Sequence, residues 1–509
     1  MSSLTHGRLP ASDKSVAVSP GRSQKLIAAG CLILVAAAWF AHGVIVAAPK
    51  TLHFDILEAY AWGKEFQLGY DKHGPFWAWI AGAWFLLFPT TNASFVLLET
   101  LNAAIGGIGA WRLNGLFVKG WMRHASTLLL LITPFYTLMA YRYNASTIFV
   151  SLWPWALFYF VKSLDGMKMR DAAWFGIFAA AAMLSKYYAV ILLLTCALSL
   201  AVHPNGRKYI LSPLPFAAGA SFLALFLPHL IWVLQNGAPT VTHAIAVTGQ
   251  GWLFALRSAG RFMLETGAGL VLPALVIFIT SRTSKAPPAS EEGDRLSKSR
   301  RQFLSVLVLA PWILTVLFGL AFRLGLVPAD GAGIFPLAPL FLIQFAAPLD
   351  GWRCFRFAGM AAIAASLIAV ISAPIERDVL IKRAGPSVAL PYRELAAQVT
   401  ALWHSETGTP LHNAGGRLAY AYAMSFYSPD HPSSFTELNL NMAPWMTPAR
   451  LKQYGLLIAC AHDDGGCSGA ALSFASGNWK QLPLSIARKA GSRQMPEVKY
   501  DIFIIPPQK

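Results

Sequence analysis

The sequence predicts an all-α polytopic membrane domain followed by a small α/β domain at the C-terminus. Of 509 residues, 55% are hydrophobic and only 13% are charged, roughly half the charged share of a soluble domain. The apolar residues lie in long runs, and the first, Leu26–Ala48, contains no charge and is long enough to cross a hydrocarbon core of roughly 30 Å. After Ser372 these runs give way to short strand-like and helix-like segments, which indicates a soluble fold.

About eleven such runs are present, and each is predicted to be a transmembrane helix because backbone polar groups in lipid must be satisfied within the span. The first is predicted to be a retained helix, since no small-residue cleavage site follows it. The runs are Leu26–Ala48, Ser94–Leu116, Ala125–Ala140, Ala145–Val161, Ala172–Ser185, Tyr187–Val202, Leu211–Leu234, Phe262–Ile279, Phe303–Ala321, Ile334–Leu349 and Phe357–Ala373.

The placement of lysine and arginine predicts the orientation. If the N-terminus is cytoplasmic, alternation puts most basic loops on that side, as the positive-inside rule requires. The first outer loop, residues 49–92, and the tail after Ser372 then lie outside. The formal net charge of +17 reflects these loops and contact with anionic lipid head groups, and with no nucleic-acid motif present we expect no nucleic-acid partner. The predicted parts are a cytoplasmic tail (1–24), a membrane domain (25–373) and an outer soluble domain (374–509).

In the soluble domain, Tyr392–Trp403 is predicted to be a helix, and Gly455–Ala461 and Tyr500–Ile505 are predicted to be strands. Cys460 and Cys467 lie close together in this domain. In an oxidising compartment they could form a short disulfide loop, and the alternative is two free thiols.

The first outer loop contains the candidate catalytic acids. Asp55 and Glu58 are three residues apart and share one face of a helix, with Tyr60 among its apolar and aromatic residues. This pattern predicts an amphipathic helix in the membrane plane that presents carboxylates at its start; the alternatives are a solvated loop, or Asp55 as a helix cap. Lys72 and His73 then return basic groups to the interface before a second amphipathic stretch, residues 76–88.

Three further segments carry polar residues at the outer ends of predicted helices. Lys186 interrupts an otherwise apolar double span, and a buried amine there is a functional hypothesis, with snorkelling to the interface as the alternative. His229 taken alone is more typical of a packing residue. The segments are Tyr143-Asn144-Ala-Ser-Thr147 (preceded by Arg142), Leu184-Ser185-Lys186-Tyr187-Tyr188, and Pro228-His229-Leu-Ile-Trp232 followed by Gln235-Asn236.

Taken in order, these motifs resemble the integral-membrane GT-C glycosyltransferases. Within them the chain is similar to bacterial relatives of the protein O-mannosyltransferases and of the aminoarabinose transferases that modify lipid A (PMT/ArnT-like). The resemblance spans most of the membrane part. It implies an enzyme of the bacterial inner membrane, with a periplasmic active site, that transfers a sugar from a polyprenyl phosphate to an acceptor outside the cytoplasm.

The resemblance also implies roles for individual residues. Asp55 is expected to be the general base, with Glu58 as a second catalytic acid. Cations at the outer boundary would hold the leaving phosphate. The expected phosphate-binding residues are Lys186, Lys72, His73 and Arg142, and the expected substrate-binding residues are Tyr60, Tyr143, Asn144, Tyr187 and His229.

We expect no resident metal, and a divalent ion is the alternative. Positions at which relatives carry potential metal ligands hold Lys72, Asn144 and Asn236 here. The expected partners are therefore the lipid-linked donor, membrane lipids, and an acceptor that is lipid A or lipopolysaccharide, another envelope lipid or glycan, or a protein.

Rival hypotheses predict other patterns. A transporter or lipid flippase would place charges or broken helices near mid-membrane, whereas the ionisable residues here, apart from Glu99, lie near span ends. A glycan polymerase or ligase would place its largest outer loop late, and a scaffold protein would make Asp55 and Lys186 dispensable. The transporter or flippase is the leading alternative.

Overall fold

The computed structural model describes residues 20–283, 296–331, 333–346, 349–475 and 477–508. Residues 1–19 of the predicted cytoplasmic tail lie outside the described residues. Residues 284–295, in the basic loop between the predicted spans that end at Ile279 and begin at Phe303, also lie outside them. Helix α1 begins at Pro20 and ends at Ala47, so the first predicted span is helical over nearly its whole length.

The part before the C-terminal domain is helical, with short 3-10 turns at Leu138–Tyr141, Tyr187–Ala189 and Pro328–Gly331. Its α-helices are α1 (Pro20–Ala47), α2 (Phe54–Gly63), α3 (Phe76–Leu87), α4 (Asn92–Asn114), α5 (Gly120–Leu131), α6 (Phe149–Gly166), α7 (Met169–Met183), α8 (Val190–Leu200), α9 (Gly206–Ile210), α10 (Leu214–Gln235), α11 (Pro239–Ala246), α12 (Trp252–Ala268), α13 (Val271–Thr283), α14 (Lys298–Ala321), α15 (Ala338–Phe345) and α16 (Gly351–Arg383).

Each of the eleven predicted runs overlaps one of these helices, and the chain is a multi-pass membrane protein. In the described ranges, five helices are long and apolar enough to cross a bilayer, or six if the bent pair α12 and α13 forms one span. Helix α5 ends at Leu131, shortly before Pro134, whose ring cannot continue a helix. The full count of eleven stays a prediction, because helices such as α5, α8 and α15 are too short to span alone.

The C-terminal part is a mixed α/β domain, as predicted. Five strands form a sheet in the order β2-β1-β3-β7-β4, in which β1 is parallel to both β2 and β3 and β7 is antiparallel to both β3 and β4. Strands β5 and β6, which lie between β4 and β7 in the chain, form a separate two-stranded antiparallel sheet. The elements are α17 (Pro386–Ala389), α18 (Tyr392–Thr407), β1 (Asn413–Gly416), α19 (Leu418–Tyr427), β2 (Ser433–Thr436), α20 (Pro448–Tyr454), β3 (Leu456–Ala461), α21 (Gly465–Leu472), β4 (Lys480–Ile486), β5 (Lys489–Ala490), β6 (Arg493–Gln494) and β7 (Val498–Ile505).

The boundary of this domain differs from the predicted one. Helix α16 continues to Arg383, beyond the predicted end of the membrane domain at residue 373, so the soluble fold begins only after that helix. Cys460 at the end of β3 and Cys467 in α21 are joined by a disulfide, with 5.6 Å between their Cα atoms. The bridge ties α21 to the central strand of the sheet.

The C-terminal domain packs directly on the first outer loop. Helix α19 lies against α2, where the Tyr422 hydroxyl donates to Glu58 Oε1 at 2.9 Å. Tyr427 on the same helix donates to Asn92 Oδ1 at 3.0 Å and accepts from the Leu52 backbone N–H at 2.9 Å. The domain therefore covers the loop that contains the candidate catalytic acids.

Candidate active site

Helix α2 places Asp55 at an open end. His53 caps the helix, and its Nδ1 lies 3.2 Å from the Asp55 backbone nitrogen and 3.4 Å from Asp55 Oδ2. The ring nitrogen accepts from the N–H at the start of the helix and also lies beside the carboxylate. The Asp55 side chain is 29% exposed, which leaves the carboxylate accessible to a substrate.

The charges around Asp55 keep it ionised. Burial alone would raise the pKa of this carboxyl group, but the hydrogen bond and charge of His53, together with Arg142 and Lys72, outweigh burial and lower the pKa below its ordinary value. Asp55 is therefore a carboxylate at neutral pH and can accept a proton.

Glu58 lies in a different environment. Residues 56–63 of α2 are all buried, so the prediction of an amphipathic helix at the membrane surface is wrong: α3 and the C-terminal domain enclose the helix. Glu58 Oε1 accepts from Lys72 Nζ at 2.6 Å and from the Tyr422 hydroxyl. Burial raises the pKa of Glu58 to about 7, against the opposing effects of Lys72 and Tyr422. The structure thus gives Glu58 a structural ion pair instead of the predicted place beside the substrate.

Lys72 is held between two partners. Besides Glu58, its ammonium lies 5.6 Å from the centre of the Trp62 ring, a cation–π distance. Burial opposes its charge, but Glu58, Asp71 and Asp55 together raise its pKa, so Lys72 remains a cation. If Lys72 binds the donor phosphate as predicted, its ammonium group must interact with the phosphate while it is also paired with Glu58.

Lys186 is brought to this loop by a close backbone contact. The Phe76 N–H donates to the Leu184 carbonyl at 3.0 Å, and a Cβ atom on Gly74 would lie only 2.2 Å from that carbonyl oxygen. Glycine at position 74 therefore permits the approach. Lys186 Nζ lies 3.0 Å from Ser146 Oγ, so three separate segments of the chain meet at this amine.

His73 is partly buried beside these cations. Burial, together with the positive charges of Lys186 and Lys72, holds the pKa of His73 well below its ordinary value. His73 is therefore a neutral ring, able to donate one hydrogen bond but not to act as the predicted phosphate-binding cation. The His243 ring lies 6.4 Å from it, and burial and the same two lysines lower the pKa of His243 as well.

Arg142 is exposed and lines a cavity of about 560 Å³. Lys50, His53 and Glu99 line the same cavity. His53 also contacts Asp55, and the charge of Arg142 acts on the Asp55 carboxylate. This cavity therefore adjoins the open end of α2. It is the first of two cavities at the site.

The second cavity, of about 480 Å³, lies near the lysines. Asp71 and His243 line it. Asp71 directly precedes Lys72 in the chain, and both Lys72 and Lys186 act electrostatically on His243. Asp55 and Lys72 also interact electrostatically, and each lies close in the chain to a lining residue of one cavity, His53 for the first and Asp71 for the second.

The remaining predicted substrate-binding residues make internal contacts. Tyr143 is buried and its hydroxyl donates to the Trp77 carbonyl at 2.9 Å, and Tyr60 is buried between Phe85 and Phe426. Tyr143 and Tyr60 therefore make packing contacts in this structure, and their predicted substrate contacts stay a prediction.

Asn144 and His229 also support the framework. Asn144 Oδ1 accepts from the Ser146 and Thr147 N–H groups at 2.9 and 3.0 Å. His229 lies between the Leu68 carbonyl at 2.7 Å and the Tyr187 hydroxyl at 2.8 Å. Asn144 thus stabilises the turn that contains Ser146. His229 links α10 to the first outer loop and, through Tyr187, to the segment after Lys186. We expect Asn144, His229 and Tyr187 to hold these segments in place around Lys186.

Sequence reasoning missed four residues of this site: Asp71, His243, His53 and Tyr422. Asp71 directly precedes Lys72 and His53 lies two residues before Asp55, so both are recognisable as polar groups in the same apolar loop. Tyr422 is 364 positions from Glu58, and no signal in the sequence connects them.

Within the described ranges, no group of three or more His, Cys, Asp or Glu side chains could hold a metal ion, so no chemical step is assigned to a metal here.

Comparison with known proteins relates this architecture to one class. Residues 72–232 match the family described as dolichyl-phosphate-mannose-protein mannosyltransferase. The chain superposes on the crystal structure of ArnT from Cupriavidus metallidurans bound to undecaprenyl phosphate with a TM-score of 0.60 at 12% identity, covering 95% of this chain and 98% of that one. The fold is therefore that of the GT-C membrane glycosyltransferases, related to the PMT and ArnT types, which confirms the resemblance seen in the motifs.

Other solved structures superpose less closely. The oligosaccharyltransferase of Archaeoglobus fulgidus gives a TM-score of 0.46 at 10% identity over 91% of this chain and 70% of that one. The arabinofuranosyltransferase AftD from Mycobacteria gives 0.41 at 14% identity over 95% and 41%. No curated protein matches the chain by sequence.

Proposed function

We propose that this protein is a membrane glycosyltransferase that moves a sugar from a polyprenyl-phosphate donor to an acceptor outside the cytoplasm. The observation that carries the proposal is the ionised carboxylate of Asp55, which interacts with Lys72 and Arg142. His53, beside Asp55, lines one cavity, and Asp71, beside Lys72, lines another. A two-substrate transferase needs space for each substrate, with a proton acceptor and a cation near the reacting atoms. The fold, and the undecaprenyl phosphate bound in the ArnT structure, support a lipid-phosphate donor.

The reaction is a single displacement at the anomeric carbon. An acceptor oxygen in the cavity beside Arg142 attacks that carbon and gives its proton to the Asp55 carboxylate, while the bond from the carbon to the phosphate oxygen breaks. The electron pair of that bond leaves with the polyprenyl phosphate. One glycosidic bond forms as one glycosyl phosphate bond breaks, and attack opposite the leaving group inverts the anomeric configuration.

The leaving phosphate gains negative charge as the bond breaks, and fixed cations stabilise this change. Lys186 is assigned as the principal phosphate-binding residue because Ser146 and the Gly74–Leu184 contact fix its position. Lys72 adds a second positive charge that is partly offset by Glu58, and His73 contributes a neutral N–H donor. Arg142, in the other cavity, is better placed to bind an anionic group of the acceptor.

The basic loops support an orientation with the N-terminus in the cytoplasm. In a bacterial inner membrane the site and the C-terminal domain would then face the periplasm, where a disulfide such as Cys460–Cys467 persists. Acceptors on that side include lipid A or lipopolysaccharide, other envelope lipids and glycans, and proteins.

The experiment is mass spectrometry of envelope lipids, glycans and proteins from cells with the intact gene, a deletion, Asp55→Asn, or the matched surface control Asp463→Asn. A sugar-sized mass increment is expected with the intact protein and the control and absent from the other two. If the deletion removes no covalent product, the transferase proposal fails and lipid transport becomes the leading explanation. If Asp55→Asn keeps the full increment, the assignment of the base fails.

A further inference from the structure

The cavity of about 480 Å³ lies between the membrane part and the C-terminal domain. Trp232, Asn236 and His243, from the end of α10 and from α11, form one wall together with Asp71 of the first outer loop. Asn441 and its neighbours in residues 440–444 of the C-terminal domain form the opposite wall. The C-terminal domain therefore forms one wall of the cavity.

Asp71 contributes a carboxyl group to the wall of this cavity. Its Oδ1 is buried and accepts no hydrogen bond from any residue in the part of the chain that the structure describes. Burial raises the pKa of Asp71, while Lys72 and two backbone N–H groups oppose that rise. A buried carboxylate oxygen without a donor is costly, so the site favours a ligand that brings hydroxyl or amino hydrogens.

The rest of the lining has the same chemistry. Asn236 and Asn441 offer amide groups that both donate and accept, and both are exposed. The Trp232 ring provides an apolar wall of the kind against which the C–H groups of a sugar ring can pack. Aromatic, amide and carboxylate groups together suit a polyhydroxylated ring better than an acyl chain or a peptide.

The C-terminal wall is held firmly. Glu437 and Leu438, which precede it, have φ of 53° and 52°, a left-handed conformation that is costly for residues other than glycine and asparagine. Glu437 accepts from Arg417 Nη1 at 3.0 Å and from the Leu418 N–H at 2.7 Å. These contacts compensate for the strain and fix the direction in which residues 440–444 extend.

We infer that this cavity binds the transferred sugar of the lipid-linked donor, with Asp71 accepting from its hydroxyl or amino groups and Asn441 helping to determine which sugar is accepted. The inference rests on the proposed function, and the cavity lies where it requires, since Asp71 adjoins Lys72 and His243 lies within reach of the charges of Lys72 and Lys186. The C-terminal domain is then part of the specificity of the enzyme.

The test compares lipids with and without a sugar. Purified full-length protein is titrated with undecaprenyl phosphate and with its glucosyl, arabinosyl and galacturonosyl esters. The wild type should bind at least one ester more tightly than the bare lipid. Asp71→Asn and Asn441→Ala should weaken binding of that ester by about 10-fold, the size expected for one or two lost hydrogen bonds, and leave binding of undecaprenyl phosphate within about twofold. Asp463→Asn and Asn478→Ala are the matched controls.

Three results would overturn the inference: an equal loss for the bare lipid and the ester, no loss in either variant, or no ester bound more tightly than the bare lipid. If EDTA weakens ester binding by the wild type as much as Asp71→Asn does, Asp71 acts through a cation and the inference also fails. Intact binding of undecaprenyl phosphate in these cases would leave the proposed function standing, whereas failure to bind any of the four lipids would count against both.

Discussion

The two halves of helix α2 share a sequence pattern and differ in environment. Asp55 lies at the open N-terminal end, where its side chain is 29% exposed and next to a cavity. Glu58 lies one turn further on under helix α19, where its side chain is 4% exposed and bonded to Lys72 and Tyr422. Spacing alone makes the two acids equivalent, since residues three apart share a helix face.

The difference shows how local surroundings distinguish two carboxylates on one helix face. Tyr422 of the C-terminal domain covers Glu58, which is also paired with Lys72 of the first outer loop, whereas Asp55 stays partly exposed. The pKa shifts follow: burial raises the pKa of Glu58 to about 7, while neighbouring positive charges lower that of Asp55. We therefore expect Asp55 to accept the proton and Glu58 to modulate the charge of Lys72.

The largest expected effect comes from removing the base. Asp55→Asn keeps the size of the side chain but cannot accept the proton, so kcat should fall by about 10²- to 10⁴-fold with little change in KM for the donor. Steady-state transfer by purified protein measures both constants, and a thermal melt checks the fold. Asp55→Glu should restore part of the rate, because it returns a carboxylate.

A donor KM that rises as steeply as kcat falls would contradict this prediction, because Asp55 would then bind the donor instead of accepting a proton. Asp463→Asn should match the wild type in both constants.

The next effect compares two lysines. Lys186→Ala should raise the donor KM by about 10- to 100-fold, the cost of one hydrogen bond between charged groups, with partial recovery in Lys186→Arg. Lys72→Ala should raise it less, because Glu58 already offsets the charge of Lys72. Transfer assays at varied donor concentration measure the difference, with Lys499→Ala as the exposed control. A larger effect at Lys72 would reverse the assignment of the principal phosphate-binding residue.

Much of this architecture could be predicted from local patterns. The second amphipathic stretch was predicted at residues 76–88, and helix α3 covers Phe76–Leu87. The strand predicted at Gly455–Ala461 is β3, Leu456–Ala461. In both cases the apolar pattern extends over a complete element and turn residues bound it, so short-range information is sufficient.

The different environments of the charged residues within the site could not be predicted from local patterns. The contact that covers Glu58 comes from Tyr422, and the approach that positions Lys186 depends on the fit of Gly74 against the Leu184 carbonyl. Both depend on how distant segments pack, which has no periodic signature. His73 shows the same limit, because its loss of charge follows from burial beside lysines that only the fold brings together.

A smaller, pH-dependent effect should come from Glu58. Its pKa of about 7 means that it is ionised and paired with Lys72 at pH 8 but protonated at pH 6, where Lys72 is released to attract the donor phosphate. Donor KM should therefore fall by about 3- to 10-fold from pH 8 to pH 6, the effect of removing one nearby negative charge. The lowered pKa of Asp55 keeps that group ionised over this range, so it adds no pH dependence.

Glu58→Gln is the corresponding variant. It resembles the protonated form, so its donor KM should be low and flat between pH 6 and pH 8 in the same assay. If the pH dependence persists in Glu58→Gln, another group causes it and the regulatory role of Glu58 fails.

The smallest effect should come from the hydroxyl that covers Glu58. Tyr422→Phe removes one hydrogen bond to a buried acid, which costs about 1 to 3 kcal/mol, and should lower the melting temperature by a few degrees. Because Tyr422 helps to lower the pKa of Glu58, its loss should also move the midpoint of the donor-KM profile to higher pH. Tyr420→Phe, on the same helix but packed against Tyr392 and Tyr500, should leave that midpoint in place. A lower melting temperature with an unchanged midpoint would make Tyr422 only a packing residue, and the C-terminal domain would then have no part in tuning Lys72.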